Sequence, residues 1–90
     1  MMPFETVFGH LVRKALYAVR SNDELLIYEA YGEMTMARTL EAITKKEAEC
    51  INTALIVNWI NNPADRKKYA KEITEDSIMS NIRREHTCTG

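Results

Sequence analysis

The sequence predicts an all-α protein: a small bundle of four or five helices with short connections, of a size that a second copy can complete. Three observations carry the prediction. Apolar residues recur at i, i+3 and i+4 along much of the chain. Two Ser/Thr-x-x-Glu boxes stand where helices would start. Only three Gly and two Pro interrupt the 90 residues, and no hairpin turn joins alternating runs.

The first helix is read from Phe4 to Val19. Turning 100° per residue gathers Phe4, Phe8, Leu11, Val12, Ala15 and Val19 on one arc, with Thr6, His10, Arg13, Tyr17 and Arg20 opposite. Ser21-Asn22-Asp23-Glu24 then reads as a stop and restart, Ser21 capping the next helix while Glu24 reaches back. The second helix is expected over residues 22–43. Its inner face comprises Leu26, Ile27, Ala30, Tyr31, Met34, Ala37 and Leu40, interrupted by Glu33 and Glu41. Gly32 costs about 1 kcal/mol relative to Ala inside a helix, so a kink or a closely approaching neighbour is expected there.

Thr44-Lys45-Lys46-Glu47 is a second capping box, opening a third helix over residues 45–61. Ile51, Leu55 and Trp59 form its stripe, and Ala54, Ile56, Val57 and Ile60 spread apolar surface nearly all round, the pattern of a central element. Asn62 is read as the cap of a fourth helix, with Pro63 at its first position. Tyr69, Ala70 and Ile73 face one way, whereas Ile78, Met79 and Ile82 would point the other way in an unbroken helix. A break near Thr74 and a fifth segment over 75–84 are therefore expected; one long helix touching two surfaces is the alternative. Residues 1–85 form a single domain, with 86–90 a frayed tail.

Charge excludes some functions and leaves others open. The net charge is −1, so no global basic field draws in nucleic acid or an anionic membrane. The uncharged stretch from Cys50 to Asn62 contains four Asn and falls short of the roughly 20 apolar residues that span a bilayer. The first residues lack the basic start and apolar run of a secretory signal. Two cysteines, Cys50 and Cys88, are too few for a secreted disulfide scaffold, and nothing in the sequence supports a bridge between them. The expected setting is the cytoplasm.

No catalytic motif is present: no Gly-rich phosphate loop, nucleophile elbow or HExxH, and no acid pair beside a His. His86 and Cys88 have no matching ligand pair in His10 and Cys50, so neither metal nor cofactor is expected. Two groups of residues could bind an anion. The outer face of the first helix carries His10, Arg13, Lys14, Tyr17 and Arg20, and a basic cluster holds Arg66, Lys67, Tyr69 and Lys71. Forked Arg donors and stacking rings suit a nucleotide or nucleic acid, but a solvated helix face looks the same. A third group suits a protein partner. Tyr28, Tyr31, Met34 and Met36 crowd one helix, and Ile78, Met79 and Ile82 form a ridge; Tyr and Met are common interface anchors as well as core residues.

The expected function is that of a non-enzymatic interaction protein, forming a homo-oligomer and modulating or inhibiting a protein partner. An anionic-ligand binder is the alternative. Small size and absence of motifs resemble phage or mobile-element regulators, although no residue pattern carries that resemblance.

Overall fold

The computed structural model describes residues 6–80, and every regular element among them is helical. Phe4, Ile82, His86, Cys88 and the expected tail lie outside the described residues.

Helix α1 (Val7–Ser21) starts where Thr6 leaves the helix conformation and its Oγ1 accepts the Gly9 N–H at 2.9 Å. It buries Leu11, Val12, Ala15, Ala18 and Val19, as its periodicity requires. It ends at Asn22, which adopts the left-handed conformation (φ 52°) and returns its N–H to the Val19 carbonyl at 2.9 Å. Asn tolerates this conformation better than any other non-Gly residue. The expected box at Ser21 therefore does not form: Ser21 is the last residue of α1. Helix α2 (Glu24–Thr39) is capped instead by Asp23, whose carboxylate accepts the Leu25 N–H at 2.9 Å.

Helix α2 also stops earlier than its sequence suggests. The Ala42 N–H bonds the Ala37 carbonyl at 2.8 Å and the Glu41 N–H bonds Arg38 at 3.1 Å, with Glu41 at φ 59° between them. This is a Schellman turn with Glu in the place usually taken by Gly. Leu40 consequently leaves the inner face and is 70% exposed. At Gly32, an added Cβ would meet nothing within 4 Å, so the close neighbour expected there is not among the described residues.

The second capping box forms as read. Thr44 Oγ1 accepts the Glu47 N–H at 3.1 Å, the Glu47 carboxylate accepts the Thr44 N–H at 2.9 Å, and helix α3 (Lys45–Asn52) follows. Beyond Asn52 the chain widens into a π-helical segment (Thr53–Ile60) in place of the ordinary helix expected. The wider turn gives room to the β-branched Thr53, Ile56, Val57 and Ile60, which crowd an α turn. It also keeps Ala54, Leu55 and Trp59 all buried.

Pro63 opens a short 3-10 turn (Pro63–Asp65), as its position predicted, but the Asn62 side chain makes no capping bond. Helix α4 (Arg66–Glu72) ends at Ile73, which turns extended. Thr74 and Ser77 then exchange side-chain and backbone hydrogen bonds at 3.0 and 3.1 Å, starting α5 at residues 75–80. The expected break near Thr74 is present, and the single long helix is not.

Helix α1 lies along α2 and also touches α3, the π segment and α4. The centre is shared between α1 and the π segment. Val12, Val19, Ile27, Ile51, Leu55, Ile73 and Ile78 are each no more than 2% exposed, and close packing of such side chains is the main source of stability.

Candidate functional site

The basic outer face of α1 is occupied by its own chain. Lys14 Nζ binds the Glu33 carboxylate and lies 4.0 Å from Glu29, and His10 lies 3.7 Å from Glu33. On the other flank Arg13 faces Glu75 at 3.6 Å, and an Arg20 guanidinium N–H reaches the Ile73 carbonyl at 3.4 Å. These contacts join α1 to α2 and to the start of α5. Carboxylates stand between the cations that an incoming phosphate would need, which weakens the face as an anion site. Tyr17 remains 66% exposed.

Arg66 is likewise committed within the fold. Its guanidinium lies 4.0 Å from the Trp59 ring centre and donates to the Trp59 and Ile60 carbonyls at 2.8 and 3.0 Å. It thus closes the end of the π segment by adding donors to its last two carbonyls. The Trp59 indole N–H donates to Asn22 Oδ1 at 2.9 Å. One clasp therefore joins the end of α1, the π segment and the start of α4. The sequence cluster divides accordingly: Arg66 turns inward, while Lys67 and Lys71 stay exposed.

Tyr69 packs against the core and hydrogen-bonds the Asn58 side chain. Burial pushes its hydroxyl above the ordinary value of 10.0, and the Asn58 bond opposes this in part. The Glu33 hydrogen bond similarly holds Lys14 above 10.5, against a smaller opposing effect of burial. Both shifts have the same consequence. Stability is intact below pH 10 and falls as pH rises further, because the unfolded chain loses these protons first. Tyr69→Phe should flatten the alkaline decline in urea midpoint above about pH 10. An unchanged slope would assign that decline to other groups.

The third group of residues lies on α2 and falls into two sets. Met34 is 5% exposed and belongs to the core, as does Ile78 at 1%. The outward positions on α2 are Leu25 (71%), Tyr28 (50%) and Met36 (59%), extended by Leu40 just past its end. With 3.6 residues per turn, Leu25, Tyr28, Gly32 and Met36 share an arc of about 80°. The buried Ile27, Ala30, Met34 and Ala37 lie on the opposite side. Helix α2 thus has two apolar faces, and among the described residues only one of them meets the rest of the fold. Leu25 was not among the residues the sequence singled out, although the helical wheel places it opposite Ile27, and Leu40 was expected on the inner face. Met79, 37% exposed on α5, stands apart from this stripe.

Tyr31 lies between the two faces, on the edge of a shallow groove of about 320 Å³ between α2 and α3. Met34 and Ala48 contribute apolar lining, and Arg38, Lys45 and Glu49 contribute charge. Thr35, its hydroxyl bonded back to the Tyr31 carbonyl, separates groove from stripe, while Thr39, bonded back to the Thr35 carbonyl, lines the groove from within the arc of the stripe. Among the described residues, no three His, Cys, Asp or Glu side chains are grouped to hold a metal ion. No helix among them is long and apolar enough to cross a membrane.

No protein-family model matches this sequence, and comparison with curated proteins and with solved structures also finds no match.

Proposed function

We propose that this chain is a non-enzymatic interaction protein that docks through the outer face of α2 onto another protein surface, and by doing so modulates that partner. The observation that carries the reading is the second apolar face of α2. Scattered exposed apolar residues are ordinary on a soluble surface. Leu25, Tyr28, Met36 and Leu40, aligned along one side of α2 and its end, form a row with an aromatic anchor. The helix adopts its conformation without needing these side chains, because the opposite face packs the core.

The alternative, an anion bound by the basic face of α1, draws no support from the geometry, since His10, Arg13, Lys14 and Arg20 already have partners.

Oxidative footprinting tests the reading by comparing the chain in the cells it comes from with dilute purified protein. Tyr28 and Met36 should be several-fold less modified in cells, while Tyr17 on α1 reacts equally in both. Equal modification of Tyr28 and Met36 in the two settings would remove the proposal. Protection of Tyr17 alone would move the contact to α1.

A further inference from the structure

We infer that the surface meeting the outer face of α2 is the same face of a second copy, the two helices running antiparallel and crossing at Gly32. The inference rests on the proposed role of that face and names its partner. Four observations support it.

The first is Gly32 itself. It lies within the helix, its φ is not positive, and a Cβ there would meet nothing within 4 Å. Neither a turn, a strained conformation nor a neighbour among the described residues accounts for a residue that weakens a helix. It lies in mid-stripe, where two helices that cross closely need a position without a side chain.

The second is self-complementarity. A two-fold contact pairs residue i with residue j and j with i. In an antiparallel crossing at Gly32, residues equally far from it meet. Tyr28 then faces Met36 of the second copy, a sulfur–aromatic pair. Leu25 faces Thr39 beside Leu40, and Gly32 faces Gly32.

The third is charge. Glu24 is on the flank of the stripe that also bears Tyr31, Thr35 and Arg38, the groove side. The antiparallel crossing carries Glu24 of one copy toward the far end of the other α2, where Arg38 and Lys45 line the groove. None of these three groups has an ion-pair partner among the described residues. The pairing occurs twice by symmetry, whereas a parallel arrangement would leave Glu24 of each copy at the opposite end of the interface from Arg38 and Lys45 of the other.

The fourth is size. One 16-residue helix is about 24 Å long, and a single helix pair covers less than the roughly 800 Å² per partner of a standard stable interface. The dimer is therefore weak and reversible, forming at about 10–100 µM.

Sedimentation equilibrium of the full chain, from about 5 µM to about 1 mM, tests this directly. The wild type should pass reversibly from monomer to dimer and no further. Gly32→Leu should abolish association while the dilute protein melts no lower than wild type, because the new side chain enters open space. Glu24→Lys should raise the dissociation constant about tenfold. Combining it with Arg38→Glu and Lys45→Glu should bring the constant back to within about threefold of wild type. A wild-type monomer throughout, a Gly32→Leu dimer of undiminished strength, or no rescue by charge exchange would each overturn the inference. A strict monomer whose Tyr28 and Met36 are still protected in cells would leave the docking face in place with a different partner. A monomer without that protection would end both.

Discussion

Trp59→Ala should cost the fold about 3–5 kcal/mol, enough to leave much of so small a domain unfolded under physiological conditions. Trp59 is 3% exposed at the end of the π segment. Its ring fills the space between α1 and α4, and removing it leaves a cavity that neighbours fill only in part. The same change deprives Arg66 of the ring it stacks on and Asn22 of its indole donor. Two milder substitutions separate these contributions. Trp59→Phe keeps an aromatic face for Arg66 but loses the N–H, and should cost about 1–2 kcal/mol. Asn22→Gly keeps the left-handed backbone available and removes only the acceptor, which should cost about 1 kcal/mol. In urea melts the double variant should be less destabilised than the sum of the two by about 0.5–1 kcal/mol. Simple additivity would show that the indole–Asn22 bond contributes nothing to the clasp.

The two faces of α2 predict the second large effect. Ile27→Ala should destabilise the dilute monomer by about 2–5 kcal/mol, since Ile27 has no solvent exposure. Leu25→Ala, two residues earlier on the same helix, should change stability by less than about 0.5 kcal/mol, since Leu25 is 71% exposed. The comparison is made by thermal or urea melting well below the concentration at which copies associate. Similar losses at the two positions would mean that the outer face belongs to the core and needs no partner.

The sequence made some of this legible and hid the rest for identifiable reasons. The buried arc of α1 follows from its spacing alone, because a strongly one-sided helix has one way to pack. The Thr44–Glu47 box is local chemistry and formed as read. The end of α2 was hidden because its left-handed position is held by Glu41, a residue with no preference for that conformation. The π segment was hidden because its apolar run fits an α-helix equally well, and the wider turn emerges only once Leu55 and Trp59 are packed. Arg66 read as one cation in a basic cluster, since only the fold brings it over Trp59 and under two carbonyls.

The candidate site shows the same division. The crowding of Tyr and Met on one helix singled out Tyr28, Tyr31, Met34 and Met36 as a group. Which of them point inward depends on the side α1 takes, and that is a tertiary choice. Met34 went to the core and Tyr31 to the groove edge, while Leu25 joined the outer row. The basic face of α1 read as open because its acidic partners, Glu29, Glu33 and Glu75, lie on other helices.

The central claim is that the outer face of α2 is a protein-contact surface, and site-specific photo-crosslinking inside cells tests it most directly. A photoreactive side chain at position 36 should give a discrete adduct, at twice the chain's mass if the partner is a second copy. The same probe at the exposed position 68 on α4 should give none. No adduct from position 36, or an equal yield from position 68, would contradict the account.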